Sequence, residues 1–268
     1  MKKSWTNVLI LLKNFHNYLL QHLLHLFMSQ KIVTIGGLHG NEPLGVQLVQ
    51  KIKNLNSLNF QAEYGNIEAI KQNTRFVDQD LNRVFPGNVT GNIEERRAAQ
   101  LMNICQNFDF VLDFHNTHCS NNDCGFVGGN NWQQSVNLAG FLGLNKVIVA
   151  DYDCINKYVQ GCLSVEISLS STQNNADLWV EKITSLSQFE PEKQYQQVQL
   201  YRFVYRVSRE QQNTFQFKNW QAFEKISIED VKKLQLDTSV NYYPIFVDDA
   251  YTAAYNFAGL ITELYILR

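Results

Sequence analysis

The chain has 268 residues, 45% of them hydrophobic and 18% charged, which is enough apolar material for one large core and too little charge for a disordered chain. A net charge of -2 without a basic run excludes the electrostatic footprint of a nucleic-acid or anionic-membrane binder. Five cysteines, an odd number with no CxxC pair, argue against a disulfide framework and a structural zinc knuckle, and fit reduced thiols in a cytoplasmic protein.

Residues 1–30 carry apolar runs such as Val8 to Leu12, interrupted by Lys13, Asn14, His16 and Asn17. No uninterrupted stretch of about 20 apolar residues exists, so a membrane span is not expected. The segment reads as an N-terminal extension forming an amphipathic helix, and Met28 is a second candidate for the natural start. Ile32-Val33-Thr34-Ile35 predicts a buried strand, and Val46, Leu48, Val49 and Ile52 predict a helix over 42–53. Between them lies Gly36-Gly37-Leu38-His39-Gly40-Asn41-Glu42, a small-residue turn carrying a histidine and a carboxylate. Turns at strand ends of an α/β sheet are where sites form. His and Glu both suit a zinc ion, which takes nitrogen and carboxylate oxygen. A Gly-rich turn with two incidental polar residues is the alternative.

A second strand is expected over 58–64 and a helical turn over 67–72. Residues 75–87 are charged, lack both periods and end in Pro-Gly, which predicts an ordered loop. Within it, Asn82 and Arg83 are suited to gripping a carboxylate; an ion pair of Arg83 with Asp78 or Asp80 is the plainer reading. Asn92 followed by Glu95 predicts a capped helix with Ala98, Leu101, Met102 and Cys105 on one face. Residues 108–114 predict a buried strand ending at His115. A helix is expected over 132–142, a strand over 146–150, a strand over 163–168 and a helix over 175–186. From about 193 the character changes to strands alone: 198–207, 243–247 and 261–267. Alternating strands and helices followed by strands predict an α/β catalytic domain over 31–192 and a smaller β-rich domain over 193–268.

A catalytic zinc site takes three protein ligands and keeps one position open for water. His39 and Glu42 supply two, and the third comes from His115 or its neighbour His118. Zinc lowers the pKa of water towards ~7, and a carboxylate then serves as general base. Glu166 sits in the apolar run 163–167, where a glutamate is expensive unless paired or functional; a solvent-facing strand glutamate is the alternative.

Four stretches in order carry a resemblance: residues 36–42, Asp80-Leu81-Asn82-Arg83, Asp113-Phe114-His115-Asn116-Thr117 and Val165-Glu166. Together they resemble the aspartoacylase and succinylglutamate desuccinylase family of the zinc carboxypeptidase superfamily. The resemblance implies a mixed sheet flanked by helices, with a smaller C-terminal β-rich domain. It implies one zinc per chain on His39, Glu42 and His115, with Glu166 as the catalytic carboxylate. It places Asn82 and Arg83 on the α-carboxylate of a small N-acyl amino acid, and Tyr152 and Tyr243 at other substrate contacts. The activity implied is hydrolysis of the substrate's amide bond. A desuccinylase-type or carboxypeptidase-type hydrolase and a non-catalytic binding protein are the alternatives, and a homo-oligomer is compatible with all of them.

Departures from the family pattern fall on recognition. Glu68 stands in Asn66-Ile67-Glu68-Ala69 where aspartoacylases carry an arginine, and Asn156 stands where they carry the arginine ten residues before the catalytic glutamate. Ser168 to Thr172 replace a Gly-Pro-rich segment. A second substrate carboxylate then lacks its guanidinium, so an N-acyl amino acid with a neutral or longer side chain is expected over N-acetylaspartate.

Overall fold

The computed structural model of the chain describes residues 30–55, 57, 59–130, 132–215, 220–247 and 258–263. The amphipathic helix expected before residue 30 lies outside them. The described strands, in chain order, are β1 (Ile32–Gly36), β2 (Phe60–Tyr64), β3 (Phe110–Thr117), β4 (Cys124–Val127), β5 (Lys146–Val149), β6 (Cys162–Ser168), β7 (Gln199–Val207), β8 (Tyr243–Ile245) and β9 (Ala258–Glu263). The helices are α1 (Pro43–Lys53), α2 (Ile67–Gln72), α3 (Ile93–Cys105), α4 (Gln133–Phe141), α5 (Ile155–Tyr158), α6 (Ala176–Thr184), α7 (Arg209–Phe215) and α8 (Ile228–Lys233).

All nine described strands join one mixed sheet in the order β2-β1-β3-β6-β4-β5-β7-β9-β8. β2, β1, β3 and β6 run parallel, and β4 is antiparallel to β6. β7 pairs parallel with β5, while β9 and β8 add antiparallel pairs beyond it. The strands after residue 193 therefore extend the same sheet. Among the described residues no helix is long and apolar enough to cross a membrane.

Alternation along the central strands places the core and the site on opposite faces. Phe110, Leu112 and Phe114 of β3, with Leu163, Val165 and Ile167 of β6, pack into one core with α1 and α6. There Leu44, Leu48, Val49 and Ile52 of α1 are buried, each contributing about 1.5–3 kcal/mol, and Trp179 meets Phe114 edge-on at 5.0 Å. On the other face Val33, Ile35 and Val111 pack with Ala98, Leu101 and Cys105 of α3. That face also receives Asp113 and His115 from β3 and Ser164 and Glu166 from β6. Helices on both faces leave no strand residue here facing water, so a polar residue at one of these positions is a buried one.

Most expected elements are present. The capping box at the start of α3 forms, with Asn92 Oδ1 accepting from Glu95 N at 2.9 Å and Asn92 N donating to Glu95 Oε2 at 2.8 Å. β3 runs on to Thr117, so His115 lies inside the strand. β8 stops at Ile245 because Phe246 has φ 55. Sequence patterning missed β4, which follows the polar run Ser120 to Asp123, and it missed α7 and α8. It also missed the four-residue α5, which carries Asn156 and Lys157 and is too short to show a period.

Candidate active site

The His39–Glu42 turn is built by close backbone approach. A Cβ on Gly36 would sit 1.9 Å from the carbonyl oxygen of Gly45, so only glycine lets α1 leave β1 at this distance. Glu42 is the N-cap of α1, with Pro43 opening the helix. The turn drives both side chains inward: His39 is 4% exposed and Glu42 1%. His115 arrives from the neighbouring strand and is also 4% exposed.

The three groups converge. His39 Nδ1 lies 2.7 Å from Glu42 Oε1, His115 Nδ1 lies 2.9 Å from Glu42 Oε2, and the two Nδ1 atoms are 3.2 Å apart. The opposite ring nitrogens are held by carboxylates: His39 Nε2 by Asp80 Oδ1 at 3.1 Å and His115 Nε2 by Asp113 Oδ2 at 2.7 Å. A proton donated from each Nε2 leaves both Nδ1 lone pairs aimed at one point beside the Glu42 carboxylate. This carboxylate–histidine arrangement is how proteins orient imidazoles toward a metal. Ligand atoms of His39, Glu42 and His115 all lie within 4.8 Å of one another, a set that fits a divalent zinc ion. His118, the rival third ligand, is exposed one residue beyond β3 and outside this set.

The electrostatics follow from burial and proximity. Burial alone would raise the Glu42 carboxyl, but the His39 and His115 rings and their hydrogen bonds hold it well below the usual carboxylate range. Asp80 is likewise pulled down against burial by His39, Arg75 and Arg83. Burial works against a charged His115, yet Asp113 and Glu42 raise it well above the ordinary histidine value.

The parallel register of β3 and β6 pairs His115 with Glu166 and Asp113 with Ser164. Glu166, 8% exposed, thereby stands beside the histidine and lines the same cleft. Ser164 Oγ donates within 2.8 Å of Asp113 Oδ2 and 2.6 Å of Asn156 Oδ1, and Asn156 Nδ2 donates to the Phe126 carbonyl at 2.5 Å. Asn156 lines the cleft with both ends of its amide already engaged.

The ordered loop supplies the next wall. Arg75, Asn82 and Arg83 line the cleft. Arg75 bridges Asp80 Oδ2 at 3.1 Å and Glu42 Oε1 at 3.6 Å. Asn82 Oδ1 accepts from Ile155 N at 3.1 Å. Arg83 lies over the Tyr152 ring at 5.0 Å, and Arg206 of β7 approaches the same ring at 5.8 Å. Tyr152, whose hydroxyl is pushed up by burial, meets Phe203 edge-on at 5.6 Å, and Phe126 stacks on Phe246 at 5.8 Å. The far wall is thus aromatic.

The cleft brings together seven of the eight residues singled out from sequence: His39, Glu42, Asn82, Arg83, His115, Tyr152 and Glu166. Tyr243 is not among its lining residues; its hydroxyl donates to Glu263 Oε1 at 2.9 Å. Glu68 does not line the cleft either and pairs with Lys71 at 2.8 Å on the exposed side of α2. Lys157 is turned away onto Asp153 at 2.8 Å. Sequence reasoning missed Arg75, Asp80, Asp113 and Arg206. For the first two the available signal was charge concentrated in an aperiodic loop; Asp113 stood two residues from a candidate ligand in an otherwise apolar run. Nothing local marks Arg206, which β7 brings to the cleft.

The comparisons with known proteins bear on the same residues. The family model for the succinylglutamate desuccinylase/aspartoacylase catalytic domain matches residues 29–173, the stretch holding the whole His39–Glu42–His115–Glu166 constellation. A probable aspartoacylase of Trichodesmium erythraeum is 31% identical over 146 residues, covering 48% of this chain and 50% of that protein. An N-acyl-aromatic-L-amino acid amidohydrolase (carboxylate-forming) of Rattus norvegicus is 34% identical over 113 residues, covering 35% of each. These alignments span half or less of the length of the curated relatives. Among solved structures, succinylglutamate desuccinylase of Chromobacterium violaceum aligns with TM-score 0.66 at 13% identity over 90% of this chain and 86% of that one. Murine aminoacylase 3 aligns with TM-score 0.62 at 20% identity over 90% of this chain and 99% of that one. At such identities the structural likeness is one of fold, and the family model, matching more than half of the residues, decides membership: this chain belongs to the succinylglutamate desuccinylase/aspartoacylase family.

Proposed function

We propose that this protein is a zinc-dependent deacylase that hydrolyses the amide bond of N-acyl amino acids to a carboxylate and a free amino acid. The observation that carries the reading is the convergence of His39, Glu42 and His115, with both imidazoles turned by buried carboxylates and Glu166 in register beside them. These three residues would hold one zinc ion per chain. When bound, zinc supplies a Lewis acid that polarises an acyl carbonyl and acidifies water. A Glu166 carboxylate oxygen takes the proton of the attacking water and passes it to the departing amine nitrogen. Arg75, fixed by Asp80 and Glu42, presents a guanidinium to the oxygen on which negative charge develops. Arg83 and Asn82 anchor the α-carboxylate, Asn82 through its Nδ2 because Oδ1 is committed to Ile155. Tyr152, kept protonated by its burial, supports Arg83 from below and offers its hydroxyl as a donor. Tyr243, whose ring lies 5.7 Å from that of Tyr201, stands behind the aromatic wall. The described cysteines are buried free thiols, which supports a cytoplasmic location.

The deciding experiment loads the purified protein with zinc, measures metal content, and screens N-acetyl and N-succinyl amino acids for release of free amine. One zinc per chain with amine release supports the proposal. Zinc and ligand binding without release would make the protein a binding module, and attack on peptide C-termini alone would make it a carboxypeptidase.

A further inference from the structure

The inner face of α3 carries Ala98, Leu101 and Cys105, and the same helical stripe continues back to Glu94. A carboxylate therefore occupies a position where the pattern calls for an apolar side chain, and it is 0% exposed. A buried carboxylate is tolerated only when donors surround it. Here they are of one kind. Val77 N donates to Oε1 at 2.7 Å, Asp78 N reaches both oxygens at 3.3 and 3.2 Å, and Gln79 N reaches Oε2 at 3.4 Å. Asn66 Nδ2 adds a fourth donor to Oε1 at 2.9 Å. Three consecutive loop amides with no strand beside them thus find their partner in a single side chain.

The clamped segment leads straight into the binding residues. Asp80 follows, and its Oδ1 caps the turn Leu81–Arg83 by accepting from Asn82 N at 2.9 Å. Upstream, the Arg75 carbonyl accepts from Gly40 N at 3.3 Å, beside His39. Asn66 extends the same tie, its backbone N donating to the Gly37 carbonyl at 2.8 Å. Glu94 is thereby joined to both loops of the site without touching the cleft.

We propose that Glu94 is a positioning residue that sets the placement of Asn82 and Arg83, and so the recognition of the substrate's free carboxylate. The part concerning recognition rests on the deacylase reading above. Full-length zinc-loaded protein is compared with Glu94→Gln, which keeps the shape but turns an amide nitrogen toward amide donors, and with Glu94→Asp, which keeps the charge. Hydrogen exchange at the amides of 77–79 should speed up by ~10-fold or more in Glu94→Gln, while β3 and β6 stay protected. KM for an N-acyl amino acid should rise ~10-fold or more. KM for the corresponding carboxamide, which offers no carboxylate to Arg83, should change by less than about threefold. Glu94→Asp should recover most of both effects. Unchanged protection at 77–79, or equal losses for acid and carboxamide, would overturn the proposal, since a purely structural glutamate would leave their ratio alone. If the wild-type protein hydrolyses neither compound, the deacylase reading fails; calorimetric Kd values for the same pair then replace KM and decide the role of Glu94 with the exchange data.

Discussion

Asp113→Asn isolates how strongly the carboxylate behind His115 holds the candidate metal centre. Asp113 is fully buried, and its Oδ2 lies 2.7 Å from His115 Nε2. The substitution keeps the side chain's shape and replaces a charge-assisted hydrogen bond with a neutral one. Hydrogen bonds to charged groups contribute about 1.5–3 kcal/mol and neutral ones about 0.5–1.5 kcal/mol. The difference, about 1–1.5 kcal/mol, corresponds to ~5- to 10-fold in affinity. Loss of the imidazole's fixed tautomer adds to this, so zinc affinity should fall ~10- to 100-fold. Competition with a chelator of known affinity measures it directly. Ser164→Ala removes only a neutral donor from the same carboxylate oxygen, at 2.8 Å, and should change zinc affinity by less than about threefold. A folded Asp113→Asn protein that binds zinc like the wild type would refute the reasoning, because Oδ2 would then not be orienting His115 toward a metal.

Other outcomes follow from the same geometry. His115→Ala should lose zinc while His118→Ala keeps it; full occupancy in the former, by elemental analysis, would remove His115 from the ligand set. Glu166→Gln should fold and bind zinc but lose about a hundredfold to ten-thousandfold in kcat, and near-normal turnover would send the search to another base. The expectation against N-acetylaspartate assigned substrate carboxylates to Arg83 alone, whereas Arg206 from β7 also lines the cleft. Arg206→Gln should therefore lower kcat/KM for N-acetylaspartate by ~10-fold or more relative to N-acetylleucine, as expected when a carboxylate loses its charged partner. An unchanged ratio would restore the neutral-side-chain preference inferred from Asn156.

The elements of the first two-thirds of the chain are legible because each carries a local signal. Aromatic and β-branched content writes β3, an apolar-leaning run writes β6, a 3.6-residue stripe writes α1, and Asn92 with Glu95 writes the start of α3. The candidate metal ligands are legible for a different reason: histidines are few, and His39 and Glu42 share one Gly-lined turn whose chemistry does not depend on the rest of the fold. What sequence alone left open was direction. Glu166, by its position in the chain, reads first as solvent-facing, and only the sheet, which buries it in register with His115, decides otherwise. Asn82 and Arg83 sit in an aperiodic loop whose shape comes from the buried carboxylate of Glu94, eleven residues beyond Arg83 and on another element. Arg206 enters the cleft because β7 joins the sheet next to β5, and Glu68 and Lys157 leave it because exposed carboxylate and ammonium partners lie nearer. Local propensity and ligand chemistry are properties of short stretches; the direction a side chain faces is a property of the strands and loops packed around it, and that belongs to tertiary structure.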